Sequence, residues 1–200
     1  MASYDAQIII PRSSYFAMNL RLTLLMVTAT VVGYTLIYSS NEWLFKGTEY
    51  APGMAWVYLP AGVRLVCTLL FAEAGVIGIL IASLLTSSLF EIFPGDPVTN
   101  IGYCLISALA PYLSYRLTLR GMLLKRSLAN LTTTNLVTFV LLYGLANPLL
   151  QHVWFAFRGI DSYFWQGLVI MSIGDLIGSL IVVYVIKILL SLFPPPPLPR

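Results

Sequence analysis

Long apolar stretches alternate with short polar connections along most of the chain. Six stretches approach the roughly 20 residues that a helix needs to cross a bilayer. They are Met18–Ser39, Ala55–Phe71, Gly75–Phe93, Val98–Leu119, Leu131–Phe155 and Phe164–Leu190. The pattern predicts an all-α integral membrane protein, built as a bundle of about six transmembrane helices in the lipid bilayer.

The second stretch is the least regular of the six. It is short and contains Pro60, so it is predicted to be a kinked or broken helix, which membranes tolerate where neighbours satisfy the freed backbone groups. Only Ala72, Glu73 and Ala74 separate it from the third stretch. A connection this short predicts that the two helices form an antiparallel hairpin.

Composition agrees with a membrane protein. The 200 residues are 58% hydrophobic and 10% charged, whereas soluble domains have about 25% charged residues. The net charge of +3 is spread over short loops, so no nucleic-acid partner is expected. We divide the chain into a cytoplasmic N-terminal segment (1–17), a six-helix membrane domain (18–192) and a Pro-rich cytoplasmic tail (193–200).

The basic residues predict the orientation in the membrane. If the N-terminus is cytoplasmic, Lys46 and Arg158 lie outside and eight other Lys and Arg residues lie inside. These eight are Arg12, Arg21, Arg116, Arg120, Lys125, Arg126, Lys187 and Arg200. Since cytoplasmic flanks carry an excess of Lys and Arg, we expect both termini to be cytoplasmic, an N-in/C-in bundle.

Two charges lie deep inside apolar segments. At about 1.5 Å per residue, Arg64 is about 13 Å and Asp175 about 16 Å below the outer ends of their predicted helices. A charge at this depth costs about 3 kcal/mol on insertion scales and usually has a partner. Arg64 and Asp175 are predicted either to form a structural ion pair or to make a binding site, with Arg64 facing an anionic group of a small ligand.

Other residues extend this prediction. Pro60 and Gly62, which precede Arg64, are counted with it as candidate ligand-binding residues, as is Asn147, which precedes a helix-bending proline. A second set of residues has the small-residue spacing of closely packed membrane helices. These packing candidates are Gly75, Gly78, Gly167, Gly174 and Gly178.

Catalytic chemistry is not expected. An intramembrane aspartyl protease needs a second aspartate at the depth of Asp175, and the chain offers none. His152 is the one histidine, and Cys67 and Cys104 lie in apolar segments. We therefore predict a protein that is not an enzyme, with no metal and no cofactor.

Two segments carry a family resemblance. Trp56–Leu65, written WVYLPAGVRL, resembles the W-x-P-x-G motif of membrane-associated sensor domains, type one, and Gly174-Asp175-x-x-Gly178 resembles that family's final helix. The resemblance implies a sensor input in the bacterial inner (plasma) membrane, usually attached to a histidine kinase or a cyclic-dinucleotide enzyme. This chain ends at Arg200 without an output domain, so we expect it to signal through a membrane or cytoplasmic protein partner. Arg64 stands where that family is expected to have an apolar residue.

Two alternatives remain open. Six helices in about 200 residues also look like the substrate-binding subunits of energy-coupling-factor transporters, although only in architecture. The third interpretation is a small accessory subunit of a larger membrane complex, in which Arg64 and Asp175 would be purely architectural.

Overall fold

The computed structural model describes residues 12–51, 53–121, 133–160 and 164–192, and most of them are helical. Most of the predicted N-terminal segment and the whole Pro-rich tail lie outside these ranges. The elements are α1 (Arg12–Phe45), β1 (Glu49–Ala51), β2 (Met54–Ala55), α2 (Leu59–Phe71), α3 (Glu73–Leu89), α4 (Pro97–Gly121), α5 (Thr133–Phe157) and α6 (Phe164–Leu192).

Three of the helical segments are long and apolar enough to cross a membrane. Among the described residues they are Asn19–Thr48, Thr133–Phe157 and Phe164–Leu189. Large apolar side chains point outward, for example Leu25, Leu145 and Leu180, each of which is more than half exposed. A surface of this kind suits lipid better than water, so the predicted helical, membrane-type architecture is confirmed at this level.

α2 is the central helix of the bundle, because it contacts each of the other five helices. It turns directly into α3 through Ala72, whose φ of 46° lies in the left-handed region. The two helices pack against each other, and a Cβ on Gly75 would meet the backbone carbonyl of Cys67. α2 and α3 thus form a tight hairpin inside the bundle.

α2 begins four residues later than the apolar pattern predicted, at Leu59 and not at Ala55. Pro60 lies in its first turn, where the missing proline N–H is not needed. Pro60 therefore starts the helix and does not kink it. The Leu59 N–H is bound by the side-chain oxygen of Asn41, at 2.9 Å, and the Tyr58 N–H donates to the carbonyl of Gly174, at 3.2 Å.

The segment before α2 lies directly on α6. A Cβ on Gly174 would overlap the carbonyl of Ala55, and a Cβ on Gly178 would overlap the carbonyl of Tyr58. Gly174 follows the start of α6 by ten residues, or about 15 Å of helix. The first turn of α2 therefore lies within the bundle and not at its end.

Candidate functional site

Arg64 is fully buried on α2, with a relative exposure of 0%. One of its terminal nitrogens, Nη2, donates to the hydroxyl of Tyr34 at 2.6 Å and to the hydroxyl of Tyr58 at 3.1 Å. Its guanidinium carbon also lies 5.4 Å and 5.3 Å from the ring centroids of the same two tyrosines. The direct partners of the Arg64 charge are thus two tyrosine hydroxyls and the rings that carry them, and not a carboxylate.

Four buried tyrosines form what we call the tyrosine cluster: Tyr34, Tyr58, Tyr103 and Tyr143. They come from α1, the segment before α2, α4 and α5. The Tyr58 hydroxyl lies 3.5 Å from the hydroxyls of both Tyr34 and Tyr103. The cluster surrounds the charge of Arg64 with polarisable rings and hydroxyl groups drawn from four parts of the chain.

Asp175 is also fully buried, on α6. Its Oδ2 accepts a hydrogen bond of 2.6 Å from the side-chain nitrogen of Asn147 on α5. Asn147 immediately precedes Pro148 inside α5. The contact joins α5 to α6 next to Gly174. The carbonyl of Gly174 accepts the hydrogen bond of the Tyr58 backbone N–H.

Arg64 and Asp175 do not form a direct ion pair. No nitrogen of Arg64 lies within 4.0 Å of a carboxylate oxygen of Asp175, and the ion pair found among the described residues joins Arg158 to Asp96. The two buried charges nevertheless attract one another, and Tyr143 interacts with both. Asp175, Asn147 and Tyr143 therefore belong with Arg64 to one site, which we call the Arg64–Asp175 centre.

Several polar atoms of this centre have no partner at hydrogen-bond distance and angle, although Arg64 and Tyr143 lie close enough to interact. These atoms are Nε and Nη1 of Arg64, Oδ1 of Asp175, Oδ1 of Asn147 and the hydroxyl of Tyr143. Leaving a buried polar group unpaired costs at least about 1–3 kcal/mol, and more for a charged group. Buried polar atoms without a partner are uncommon in native proteins, and each calls for an explanation.

One face of α5 has buried polar residues from the centre to the C-terminal part of the helix. Tyr143, Asn147 and Gln151 are spaced four residues apart and so lie on one face. The side-chain nitrogen of Gln151 donates to the Tyr103 carbonyl at 3.0 Å and to the Ser107 hydroxyl at 3.1 Å. His152, beside Gln151, has its Nδ1 2.9 Å from the Pro148 carbonyl. Since a carbonyl can only accept, Nδ1 carries the proton.

The structure brings together Arg64, Asp175 and Asn147, which the sequence had named as candidate ligand-binding residues. Gly62 lies at a close approach of α2 to α6, where a Cβ would meet the side chain of Val182 at 2.5 Å. Gly62 thus serves close packing, and Pro60 starts α2. The tyrosine cluster was missed. Only the four-residue spacing from Tyr143 to Gln151 offered a signal for one of its members.

The packing candidates all lie at close helix approaches. A Cβ on Gly78 would meet the Thr30 side chain of α1 at 2.5 Å. A Cβ on Gly167 would meet Nε2 of His152, and Gly174 and Gly178 accommodate the segment before α2. These four glycines let neighbouring backbones and side chains approach α3 and α6 more closely than any larger residue would.

A narrow pocket lies at the end of the bundle that carries the β1–β2 hairpin. It has about 10 Å³ of free space, enough for about one water molecule. Residues of α1, the hairpin and the segment before α2 line it, with Tyr38 and Tyr58 among them. Because the Tyr58 hydroxyl also binds Arg64, Tyr58 separates the pocket from the buried charge.

At the same end, Asp96 caps the start of α4. It accepts from the Thr99 backbone N–H at 3.0 Å and from the Thr99 hydroxyl at 2.5 Å, while Nη2 of Arg158 lies 3.2 Å from both carboxylate oxygens. These hydrogen bonds, with Thr99 contributing most, lower the pKa of Asp96 from 3.8 to about 2. The cluster ties the end of α5 to the start of α4.

No group of three His, Cys, Asp or Glu side chains that could hold a metal ion occurs in the part of the chain that the structure describes. Cys67 and Cys104 are buried free thiols.

Comparison of the chain with known protein families, with curated proteins and with solved structures finds no match. The resemblance to membrane-associated sensor domains thus remains a prediction from two short motifs.

Proposed function

We propose that this protein is a sensor-type domain of the bacterial inner membrane, not an enzyme, whose six helices cross the bilayer with both termini in the cytoplasm. It recognises a small molecule at the Arg64–Asp175 centre and signals through a partner protein. One observation carries the proposal. Two opposite charges are fully buried near each other, yet they are not paired, and each keeps polar atoms without a partner.

The contacts of the centre suggest how recognition reaches the helices. Arg64 connects α2 to α1 through Tyr34, while Asp175 connects α6 to α5 through Asn147. A ligand that engages the free N–H groups of Arg64 repositions the guanidinium and so weakens the bonds of Nη2 to the tyrosine hydroxyls. The packing of α1 and α2 against α5 and α6 then shifts between two states, and the partner reads the shift. A ligand drives such a change only to the extent that it binds one state better.

A solute-binding subunit of a transporter is the second candidate, and one observation favours it. α2 begins inside the bundle, where the N–H of its first residue, Leu59, donates to the side chain of Asn41. In transporters, discontinuous helices often direct their positively polarised N-termini at an anionic group of the substrate. The third candidate, an accessory subunit, draws support from the close packing at Gly174 and Gly178 but leaves the unpaired atoms without a role.

A charge-swap series tests the proposal. We expect Arg64→Ala and Asp175→Ala each to lower the thermal stability of the protein in membranes. The double swap, Arg64→Asp with Asp175→Arg, is not expected to restore it, because the two side chains do not bond directly. If the double swap instead restores most of the stability, Arg64 and Asp175 are a structural pair, and the ligand-site proposal is overturned.

Co-purification from native membranes separates the functional candidates. A histidine kinase or a cyclic-dinucleotide enzyme as the stoichiometric partner supports the sensor. A pair of ATPase subunits supports the transporter, and a stable multi-subunit enzyme supports the accessory role. Arg158→Gln, at the surface ion pair, provides a variant in which the buried centre is intact.

A further inference from the structure

The unpaired atoms of the Arg64–Asp175 centre fall into two chemically opposite sets. Nε and Nη1 of Arg64 can only donate hydrogen bonds, whereas Oδ1 of Asp175 and Oδ1 of Asn147 can only accept them. The Tyr143 hydroxyl can do both. A molecule that satisfies the whole centre must present acceptors to one side and donors to the other.

The charge of the centre sets a second requirement. Arg64 and Asp175 are the two carboxylate or guanidinium side chains that are fully buried in the described part of the chain. Their charges sum to zero. A simple anion bound to Arg64 would leave two negative groups and one positive group in a buried site, and a simple cation bound to Asp175 would create the reverse imbalance. Uncompensated buried charge is strongly destabilising.

A zwitterion meets both requirements at once. A carboxylate forms charge-assisted hydrogen bonds with a guanidinium, and Nη1 of Arg64 carries N–H groups that are free to donate. An ammonium group donates three hydrogen bonds and carries a positive charge. It would therefore give Asp175 Oδ1 the direct, oppositely charged partner that this atom lacks. Neither end of the ligand is then left unpaired.

We propose that the ligand of the Arg64–Asp175 centre is a small zwitterion of the α-amino-acid class. Its carboxylate binds Nη1 of Arg64, and its ammonium binds Oδ1 of Asp175 and Oδ1 of Asn147. This inference rests on the proposed function, because it names the ligand of the same site.

The route to the site passes Tyr58. The pocket at the end with the β1–β2 hairpin is lined in part by Tyr58 and Tyr38, whose rings meet edge to face with centroids 6.4 Å apart. To reach Arg64 from this side, the ligand must displace the Tyr58 hydroxyl from Nη2. Because the backbone of Tyr58 is bonded to Gly174 of α6, this displacement changes the contact of the segment before α2 with α6.

The test measures binding to the full-length protein in lipid nanodiscs. Thermal unfolding is recorded with each of the common α-amino acids at millimolar concentration, followed by equilibrium dialysis of the best one in radiolabelled form. Its N-acetyl derivative, which keeps only the carboxylate charge, and its amide, which keeps only the ammonium charge, are the matched probes. We expect one or more amino acids to raise the unfolding midpoint by several degrees and the two derivatives to bind at least tenfold more weakly.

Three variants of the centre and one control variant make the result specific. Asp175→Asn is expected to abolish the preference for the free amino acid over its N-acetyl form, and Arg64→Lys to weaken both. Tyr143→Phe, which retains the ring, is expected to weaken binding about fivefold, the effect of one lost hydrogen bond. Asp96→Asn, at the surface ion pair, should bind as the wild-type protein does. Dialysis with Tyr143→Phe remains informative if an Asp175 or Arg64 variant does not fold.

Two results would overturn the inference in different ways. Equal binding of the amino acid and its N-acetyl form by the wild-type protein shows that the site recognises an anion, so the zwitterion is wrong and the proposed function stands. If none of the amino acids or derivatives binds, the inference fails. The charge-swap series then decides separately whether the centre is a ligand site at all.

Discussion

Arg64 shows how an isolated charge is kept in the interior of a helical bundle. Two tyrosine hydroxyls accept from a single terminal nitrogen, and the faces of the same rings lie over the guanidinium. Ring faces and neutral hydroxyls compensate less of the desolvation cost than a paired carboxylate does. The arrangement therefore keeps Arg64 charged but leaves its Nε and Nη1 without hydrogen-bond partners.

The hydroxyls that bind Arg64 make a prediction that needs no ligand. Tyr34→Phe removes the shorter of the two bonds, 2.6 Å, but keeps the ring and its cation–π contact. Because a hydrogen bond to a charged group contributes about 1.5–3 kcal/mol, we expect a loss of stability of that size. Thermal or chemical unfolding in detergent measures it. Tyr184→Phe, at an exposed tyrosine of α6, is the control, and an equal loss there would contradict the role of the Tyr34 hydroxyl.

Asp96 makes the pH-dependent prediction. Its pKa falls from 3.8 to about 2 on folding, so the folded state favours the ionised carboxylate. Its contribution to stability is complete above pH 4 and disappears as the pH falls through about 2. We expect the difference in unfolding temperature between the wild-type protein and Asp96→Asn to shrink over this range. A difference that stays constant from pH 5 to pH 2 would show that ionisation of Asp96 does not stabilise the fold.

At the level of elements, α2 is the unusual part of the molecule. It is 13 residues long, about 20 Å, and so does not span a bilayer alone. The segment before it is not helical and lies on Gly174 and Gly178 of α6. This geometry places Tyr58 beside both Arg64 and Gly174, so the element that carries the charge also forms the wall between the pocket and the centre.

The glycines of α6 give a prediction for this element. In Gly174→Ala and Gly178→Ala the new methyl group would overlap the backbone carbonyls of Ala55 and Tyr58, which cannot rotate away. Overpacking typically costs about 1–3 kcal/mol. Because a backbone carbonyl lies in the way, we expect each variant to lose stability at the upper end of this range or above it. Gly33→Ala in α1 is the matched control, because no atom lies within 4 Å of its Cβ position.

The control should be neutral or slightly stabilising, since alanine favours a helix over glycine by about 1 kcal/mol. Unfolding temperature and yield of folded protein report the comparison. Equal behaviour of Gly174→Ala and Gly33→Ala would show that the segment before α2 does not lie against α6 as described.

The apolar pattern along the chain was enough to predict the helices, because lipid-facing and core-facing positions are both apolar and each run is long. It placed the start of α2 too early, since Ala55–Tyr58 is as apolar as the helix that follows. The depth of Arg64 and Asp175 was readable in the same way, but their contacts were not. Tyr34, Tyr58, Tyr103 and Tyr143 are separated by long stretches of chain, and which rings meet the guanidinium depends on helix rotation and on the segment before α2.

The whole molecule has an asymmetric distribution of polarity along its axis. The end that carries the β1–β2 hairpin has the pocket, the Asp96–Arg158 ion pair and the aromatic contact of Tyr38 with Phe90. A polar face of α5 extends from Gln151 at this end to the centre. If this end faces outward, as the distribution of Lys and Arg predicts, the pocket beside Tyr58 opens to the outside of the cell.

Cysteine labelling in intact cells tests this orientation. Cys67 and Cys104 are first replaced by alanine, and single cysteines are then introduced by Lys46→Cys, at the hairpin end, or by Lys187→Cys, near the last turns of α6. With the predicted N-in/C-in topology, a membrane-impermeant maleimide added outside should label Lys46→Cys, whereas Lys187→Cys should react only after the cells are permeabilised. Labelling of Lys187→Cys from outside would invert the bundle. The pocket at Tyr58 would then open to the cytoplasm, and the centre would respond to an internal ligand.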